Sequence, residues 1–451
     1  MRSSSGLICT DTIYLFLSKQ RGCKRDISTR HLRVLVQAFA ANLFSMERQE
    51  LVDLLSAEGR QLLSQLDYNS KTDVVKLVSQ LRAAGHAPSL VAAVLTQAKL
   101  RRRAEAKFGD FAKSMLFTEA GLEQSSRLRV AALHAGRFRS AGVASVADLG
   151  CGIGAESLAM ASLGLDVRAF EIDEVTAACA TFNLLPFENA SVELADVTTL
   201  TYSADEPAEA LFFDPARREL NGPKRAAASR KFDPAEFSPN FDWVVERCQS
   251  AGVRAAGIKL GPGHPHEGIP EGAEAQWVSV NGDLVELGLW FGSAARSGIA
   301  RSALLITDSG THELATSDTT GTHATLGQLE QYVYEPDNAV VRSHLIGLLA
   351  EQLGLHGFSS GIAYLTGSSE IESPWLKGYR VIEEMAFDRK KLKARLREAG
   401  IGVLEIKKRG ADIVPEQLRK ELDPKGAGKA TLIVTRVGEA HRVLICEPLA
   451  S

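Results

Sequence analysis

From Met46 to Phe138 apolar residues recur at three- and four-residue intervals, as in Leu51, Leu54 and Leu55 and then Leu62, Leu63 and Leu66. That spacing puts side chains on one face of a helix. It predicts a helical N-terminal region over 46–138, opened by one helix in MERQELVDLLSAEGRQLLSQL. The rhythm changes at Val143. From there to about Phe291, short apolar runs such as SVADL, VRAFEI, ALFFD and AAGIKL alternate with helical stretches, the pattern of βαβ units around a parallel sheet. The run ends in QWVSVNGDLVELGLWF, where Asn281-Gly282 between two alternating segments signals a two-residue hairpin and an antiparallel edge.

Beyond it, ALLIT is followed by Gly, Ser, Thr and Asp clusters, which read as a loop-rich extension over 300–335. AVVRSHLIGLLAEQLG follows the Pro336-Asp337 break as a helix, making 336–370 a helical connector. The last segment offers YRVIEEMAF, a helix in DRKKLKARLREAG closed by Gly400, the strand GVLEIKK, a helix begun by PEQLRKEL, and the strands ATLIVTRV and HRVLICEP. The expected organisation is a doubly wound, Rossmann-like α/β sheet domain over 139–335, with helices at 46–138 before it and a small α+β domain over 371–451 after it.

Composition narrows the class. A chain of 451 residues exceeds what one core usually serves, and no stretch approaches the roughly 20 apolar residues of a membrane-spanning helix. Six cysteines without CxxC spacing or histidine companions signal neither a metal site nor a disulfide framework and fit a reducing cytoplasm. Residues 1–45 lack the apolar core of a secretory signal. They read as a basic arm or as sequence upstream of the true start. The net charge of −3 is uneven: 371–451 carry 17 Lys/Arg against 12 Asp/Glu, which suits a polyanionic partner at that end.

The stretch richest in chemistry is VADLGCGIGAESLAMASLG. A strand ends at Asp148 and Leu149 and runs into Gly150, Gly152 and Gly154 before a helix, so the backbone turns tightly and offers free N–H groups to a ligand. The GxGxG spacing after an acid resembles the first motif of class I methyltransferases rather than a dinucleotide site. Some twenty residues on, Glu171 ends the second strand, where a carboxylate accepts hydrogen bonds from two ribose hydroxyls. In the resembling family the next residue, here Ile172, packs on adenine, and an acid after the third strand, here Asp196, reads the adenine amine. A nicotinamide dehydrogenase is the competing reading, but no hydride-transfer residues accompany it.

After the fourth strand come Asp214, Pro215, Ala216, Arg217 and Arg218, at the sheet edge where such folds bind ligands. The place resembles the (D/N/S)PP(Y/F/W) motif of methyltransferases acting on exocyclic amines of bases. Asp214 and Pro215 match it, which implies a catalytic role for Asp214, Pro215 and Arg217. Ala216 and Arg217 depart from it and remove the aromatic stacking surface. Carbon-5 methylation of a pyrimidine needs a cysteine nucleophile, and Cys151 lies in the glycine loop instead. Lys259, in KLGPGH after the fifth strand, reaches the same edge and reads as a ligand for a phosphate or a carboxylate. His264 and His266, in a Pro/Gly loop, read as exposed.

Together, FGDFAKSMLFTEAGLEQSSRLRVAALHA, DLGCGIG, FFDPARR, KLGPG, LEIKKRG and TLIVTRV resemble bacterial S-adenosylmethionine-dependent methyltransferases with a C-terminal THUMP-like domain. Their core looks like that of trimethylguanosine synthases. The resemblance implies S-adenosylmethionine as cofactor, a pocket lined in part by Phe117, Thr118 and Gln124, and an RNA substrate, tRNA or rRNA. Arg218, Lys259, Lys407, Lys408 and Arg409 are the implied substrate contacts. Two other readings stand beside it: a methyltransferase for a small anionic metabolite or a protein, gripped by Arg217 and Arg218, and a non-catalytic RNA-binding adaptor.

Overall fold

The computed structural model describes residues 46–66, 68–69, 71–200, 209–217 and 233–449; the expectation for 1–45 and the candidate Arg218 lie outside them. Contacts divide the chain into two units, Met1–Lys259 with Trp290–Ala295, and Leu260–Leu289 with Arg296–Ser451.

The first unit opens with α1 (Met46–Leu55) and α2 (Ala57–Gln65). One helix was expected here, and Ser56 divides it: its backbone is extended and its hydroxyl accepts the Gly59 N–H at 2.9 Å, capping a new helix. There follow α3 (Val74–Ala83), α4 (Pro88–Phe108), α5 (Glu119–Gln124) and α6 (Leu128–Ser140). Helix α4 starts on a proline at its first turn and buries Leu90, Val91, Val94, Leu95 and Ala98.

Next come β1 (Ser145–Leu149), α7 (Ala155–Ser162), β2 (Asp166–Glu171), α8 (Glu174–Leu184), β3 (Ala190–Leu194), β4 (Ala210–Phe213), the short pair β5 (Ala216–Arg217) and β6 (Phe237–Ser238), α9 (Phe241–Cys248) and β7 (Ala255–Leu260). The main strands run β3-β2-β1-β4-β7, all parallel. Strands β1 and β4 are buried along almost their whole length, as a sheet covered on both faces requires. The order reverses between β1 and β4, and the crevice at their carboxyl ends is where doubly wound sheets take ligands.

In the second unit β8 (Glu274–Val280) and β9 (Asp283–Gly292) are neighbours. Asn281 and Gly282 between them have φ of +51° and +88°, the left-handed pair a type I′ turn needs. The sheet edge lies further on, in β10 (Arg301–Ile306), parallel to β8, and β11 (Thr311–Thr316), antiparallel to β10. A loop-rich extension was expected there. All six residues of β10 are buried, and the Ser/Gly cluster is only the turn, where Thr307 N–H donates to Gly310 O at 2.8 Å.

Strand β12 (Tyr332–Pro336) leads into α10 (Asn338–Arg342) and α11 (Ile346–Leu353). These replace the single expected helix, which breaks where His344 takes a φ of +60°. After β13 (His356–Gly357), β14 (Leu365–Gly367) and β15 (Leu376–Ala386) come α12 (Arg389–Glu398), β16 (Ile401–Lys408), α13 (Pro415–Leu422), β17 (Gly428–Val437) and β18 (Ala440–Pro448). They form a seven-stranded sheet in the order β13-β14-β12-β15-β18-β17-β16. Leu432 and Val434 of β17 pack with Leu392 and Leu396 of α12 and Leu418 and Leu422 of α13, while Ile433 between them joins Tyr364 and Tyr379 in a second cluster. Among the described residues no helix is long and apolar enough to cross a membrane and no three ligating side chains could hold a metal.

Candidate functional site

Because β1 and β4 pair with Leu149 opposite Phe213, Gly150 and Asp214 leave adjacent strand ends. A Cβ on Gly150 would stand 3.6 Å from Asp214 O. The turn that follows has φ of +95°, +56° and +82° at Gly150, Gly152 and Gly154, and Gly154 caps α7. It is held by its own backbone: Gly150 and Cys151 N–H donate to Phe170 O at 2.9 Å, and Gly152 N–H donates to Glu171 Oε2 at 2.9 Å. Glu171 Oε1 accepts from the N–H groups of Ile172 and Asp173, also at 2.9 Å. Above Gly152 there is open space, since a Cβ there would meet nothing within 4 Å.

Asp148 lies beneath this turn, 1% exposed. Ser157 Oγ donates to its Oδ2 at 2.5 Å, whereas Oδ1 is buried with no hydrogen-bond partner. Burial pushes its carboxyl up to about 7. A cationic group arriving at Oδ1 would both satisfy the oxygen and favour its ionised form. On the far side of Glu171, Ile172 is 68% exposed and Leu194, opposite Glu171 in the β2–β3 register, is 52% exposed. Two apolar side chains left in water at a strand-end crevice suit a flat aromatic ring. Asp196 caps the 3₁₀ turn Val197–Thr199, accepting from Thr198 N–H at 2.9 Å and Thr198 Oγ1 at 2.7 Å, which holds its carboxyl below the usual range.

The segment before β1 is stitched down by side chains that local pattern does not single out. Gln97 Nε2 donates to Phe117 O at 2.6 Å, and its Oε1 accepts from Phe117 N–H at 3.1 Å. Asn183 accepts from Leu116 N–H at 2.7 Å and donates to Leu116 O at 3.0 Å and to Ile153 O of the glycine turn at 2.9 Å. Lys107 Nζ donates to the carbonyls of Leu122, Glu123 and Ser125 at 2.7–2.8 Å. Burial, with Lys259 and Arg127 nearby, lowers that amine to about 8. Gln97 and Asn183 could have been flagged only as amides at positions where the helical period calls for apolar residues.

Thr118 caps α5 through Gly121 N–H at 2.9 Å. A Cβ on Gly121 would fall 2.5 Å from Ile153 Cγ2, so α5 lies directly on the glycine turn. Phe117, expected among the pocket residues, is 1% exposed with its ring 5.6 Å from that of Phe108. Its side chain packs in the core and its backbone is held by Gln97.

Asp214 meets Lys259 because β4 and β7 pair with Phe213 opposite Ile258. Lys259 Nζ is 2.5 Å from Asp214 Oδ2 and donates to Gln124 O at 3.2 Å. Of the two ligands the sequence left open for Lys259, the structure shows a carboxylate. Gln124 contributes its carbonyl. Pro215 is buried, and Arg217 sits in β5 opposite Phe237; the Arg217 side chain, like Arg218, is outside the described residues. His264 and His266, expected in solvent, are not there. His264 is 2% exposed, and Arg301 donates to His266 Nδ1 at 3.0 Å. Burial, then His344 and Arg301, push His266 down to about 3, so it is neutral at physiological pH.

The cations expected to grip RNA in the second unit are largely engaged. Lys407 Nζ contacts Glu335 Oε2 at 2.7 Å and Glu405 Oε1 at 3.4 Å, and lies over the Tyr379 ring. The Arg409 guanidinium is 3.8 Å from Glu335 and stands over Tyr364. Lys408 is exposed and its ammonium donates to Ile413 O at 2.6 Å.

Comparison with known proteins gives the same picture of the class. A THUMP domain-like family profile matches residues 376–448, and a domain of unknown function (DUF8688) matches 47–104. An uncharacterized S-adenosylmethionine-dependent methyltransferase of Mycobacterium tuberculosis, found in strains CDC 1551 and H37Rv, is 32% identical over 382 residues, 81% of this chain and 99% of the relative. The crystal structure of a methyltransferase candidate from Porphyromonas gingivalis W83 covers 92% of this chain and 99% of its own at a TM-score of 0.61 and 18% identity, and so shares the fold. With a glycine turn at the switch point of a parallel sheet and a relative matched over nearly its whole length, the chain belongs to the S-adenosylmethionine-dependent methyltransferases.

Proposed function

We propose that this methyltransferase transfers its methyl group to a base nitrogen of RNA, with tRNA and rRNA the leading species. The observation that carries the reading is Asp214, held by Lys259 at the strand crossover beside the glycine turn. The THUMP domain-like match at 376–448 supports an RNA substrate. Four buried free cysteines, Cys151, Cys179, Cys248 and Cys446, suit a reducing cytoplasm.

S-adenosylmethionine supplies a sulfonium-activated methyl group, the C–S electrons returning to sulfur as the acceptor's lone pair attacks carbon. The chain's own residues bind and orient. Asp148 Oδ1 would take the amino-acid ammonium, Glu171 a ribose hydroxyl on the one acceptor site that its three backbone N–H bonds leave, and Ile172 with Leu194 the adenine face, whose amine Asp196 would read. Gly150, Gly152 and Gly154 let the backbone approach, and Thr118 and Gln124 border the pocket through α5. Asp214, held by Lys259, would accept an N–H of the substrate on its carboxylate. The adjacent ammonium of Lys259 also disfavours protonation of the attacking nitrogen, which must present a free lone pair. The methylated nitrogen then sheds its proton towards Asp214 or water. Pro215 is buried just after β4, and Arg217 and Arg218, which follow it in the sequence, are the residues whose charge would suit a flanking phosphate.

A pH dependence follows from Asp148. The cofactor ammonium needs the carboxylate, and a carboxyl near 7 is mostly protonated below that pH. Affinity for S-adenosylmethionine is expected to fall about tenfold per pH unit below 7, to level off above it, and to release a proton on binding at pH 6. Calorimetry in two buffers of different ionisation enthalpy reads both; an affinity flat from pH 5.5 to 8 would remove Asp148 from this role.

The test of the function itself is incubation with tritium-methyl S-adenosylmethionine and separated RNA, protein and metabolite fractions from cells lacking the protein. Label in RNA, mapped to a base nitrogen, is the expected result. Label confined to protein or metabolites would transfer the acceptor assignment to that class.

A further inference from the structure

If the acceptor is RNA, its backbone must be held close to Asp214, and the structure points to a different surface from the C-terminal domain's Lys407 and Arg409, which Glu335 already engages. We propose that helix α4 of the N-terminal region carries the track along which single-stranded RNA reaches the acceptor site; the inference rests on the RNA reading above.

Between Lys99 and Lys107 the sequence KLRRRAEAK holds five Lys/Arg and one Glu. Lys99, Arg103 and Lys107 are four residues apart, which puts them on one helix face about 6 Å from one another along the axis. Lys99, Arg102 and Arg103 are exposed. Arg102 and Arg103 form ion pairs with Glu105 and Glu119 across solvent-accessible surface. Such pairs are weak and are readily exchanged for phosphate.

The stripe leads to the reacting groups through contacts already described. Arg103 sits at the first residue of α5 through Glu119, and Lys107 grips the carbonyls at the end of α5. Gln124, the last residue of α5, receives Lys259, which holds Asp214. A chain of side-chain contacts thus links the exposed cations of α4, through α5 and Lys259, to Asp214. At the inner end Lys107 lies near Lys259, Arg127 and Glu123, and Lys259 is paired with Asp214. This also gives a task to part of the segment matched by the domain of unknown function, residues 47–104.

The test uses the full chain carrying Lys99→Glu, Arg102→Glu and Arg103→Glu together, with the neutral triple glutamine variant beside it because Glu119 would repel a new acid at position 103. Retention of a single-stranded RNA oligonucleotide is measured against salt. Three lost phosphate contacts at a slope of about 0.7 each should lower the salt dependence by about 2 and the affinity at low salt at least about tenfold. S-adenosylmethionine affinity should stay within about twofold, which shows that the variants are folded. Lys390→Glu with Lys391→Glu on α12 is the comparison surface. If wild type binds RNA and only the α12 variant loses it, or neither does, the track on α4 is refuted while the RNA reading stands. If wild type retains an acidic protein and no RNA at low salt, the RNA reading fails and takes this inference with it.

Discussion

Asp214→Asn is expected to lower methyl transfer about a thousandfold, with affinity for S-adenosylmethionine changed by less than about twofold. Removing one preorganised electrostatic group from a reacting centre commonly costs 10²–10³ in rate, roughly 3–4 kcal/mol, and loss of alignment adds to that. Asparagine is the better first variant. Alanine would leave the Lys259 ammonium, whose side chain is 11% exposed, with no oxygen in place of Asp214 Oδ2, whereas the asparagine amide still offers one, and leaving a largely dry cation unmatched destabilises the fold as well as the chemistry. Lys259→Met completes a cycle with Asp214→Asn. If the two act as one device, the double variant is scarcely slower than either single one. Single-turnover transfer of tritium label measures all three, and a rate within threefold of wild type for Asp214→Asn would take that residue out of the mechanism.

The second large effect is at Gly152. Its φ of +56° costs an L-residue about 1–2 kcal/mol, and a β-branched side chain there would project into the open space above the turn. Gly152→Val is therefore expected to weaken S-adenosylmethionine binding by at least about a hundredfold, equivalent to about 2.7 kcal/mol. Fold stability should fall by no more than that backbone strain, since no protein atom lies within 4 Å of the new Cβ. Isothermal titration decides it. Affinity preserved within threefold would mean that the cofactor lies elsewhere.

The parts of the fold legible in the sequence are those written in local pattern. Strand, glycine turn and helix from Val146 to Ser162 depend on neighbours only, as does the Asn281-Gly282 turn. Strands β10 and β11 were hidden because Gly, Ser and Asp between them read as loop, when four of those residues simply make a tight turn. The break in the expected opening helix was visible in principle, Ser56 being a good cap, but apolar spacing outweighed it.

The charged contacts were harder still. Lys407 looked available because its partner Glu335 lies 72 residues away, and Asp214 could not be matched to Lys259 until the strand order placed β7 beside β4. Phe117 shows how little of the packing local pattern carries: its place in the chain suggests a pocket residue, and its ring lies buried against Phe108.

The seam formed by Gln97, Asn183 and Lys107 has a consequence for traffic. Asn183 ties Leu116 to Ile153, so the strap before β1 and the glycine turn are fastened to a common post and neither swings away alone. The opposite rim, at Ile172 and Leu194, is bare to solvent. A ligand reaching the glycine turn therefore meets a strap sewn down by side-chain hydrogen bonds on one flank and two bare apolar side chains on the other.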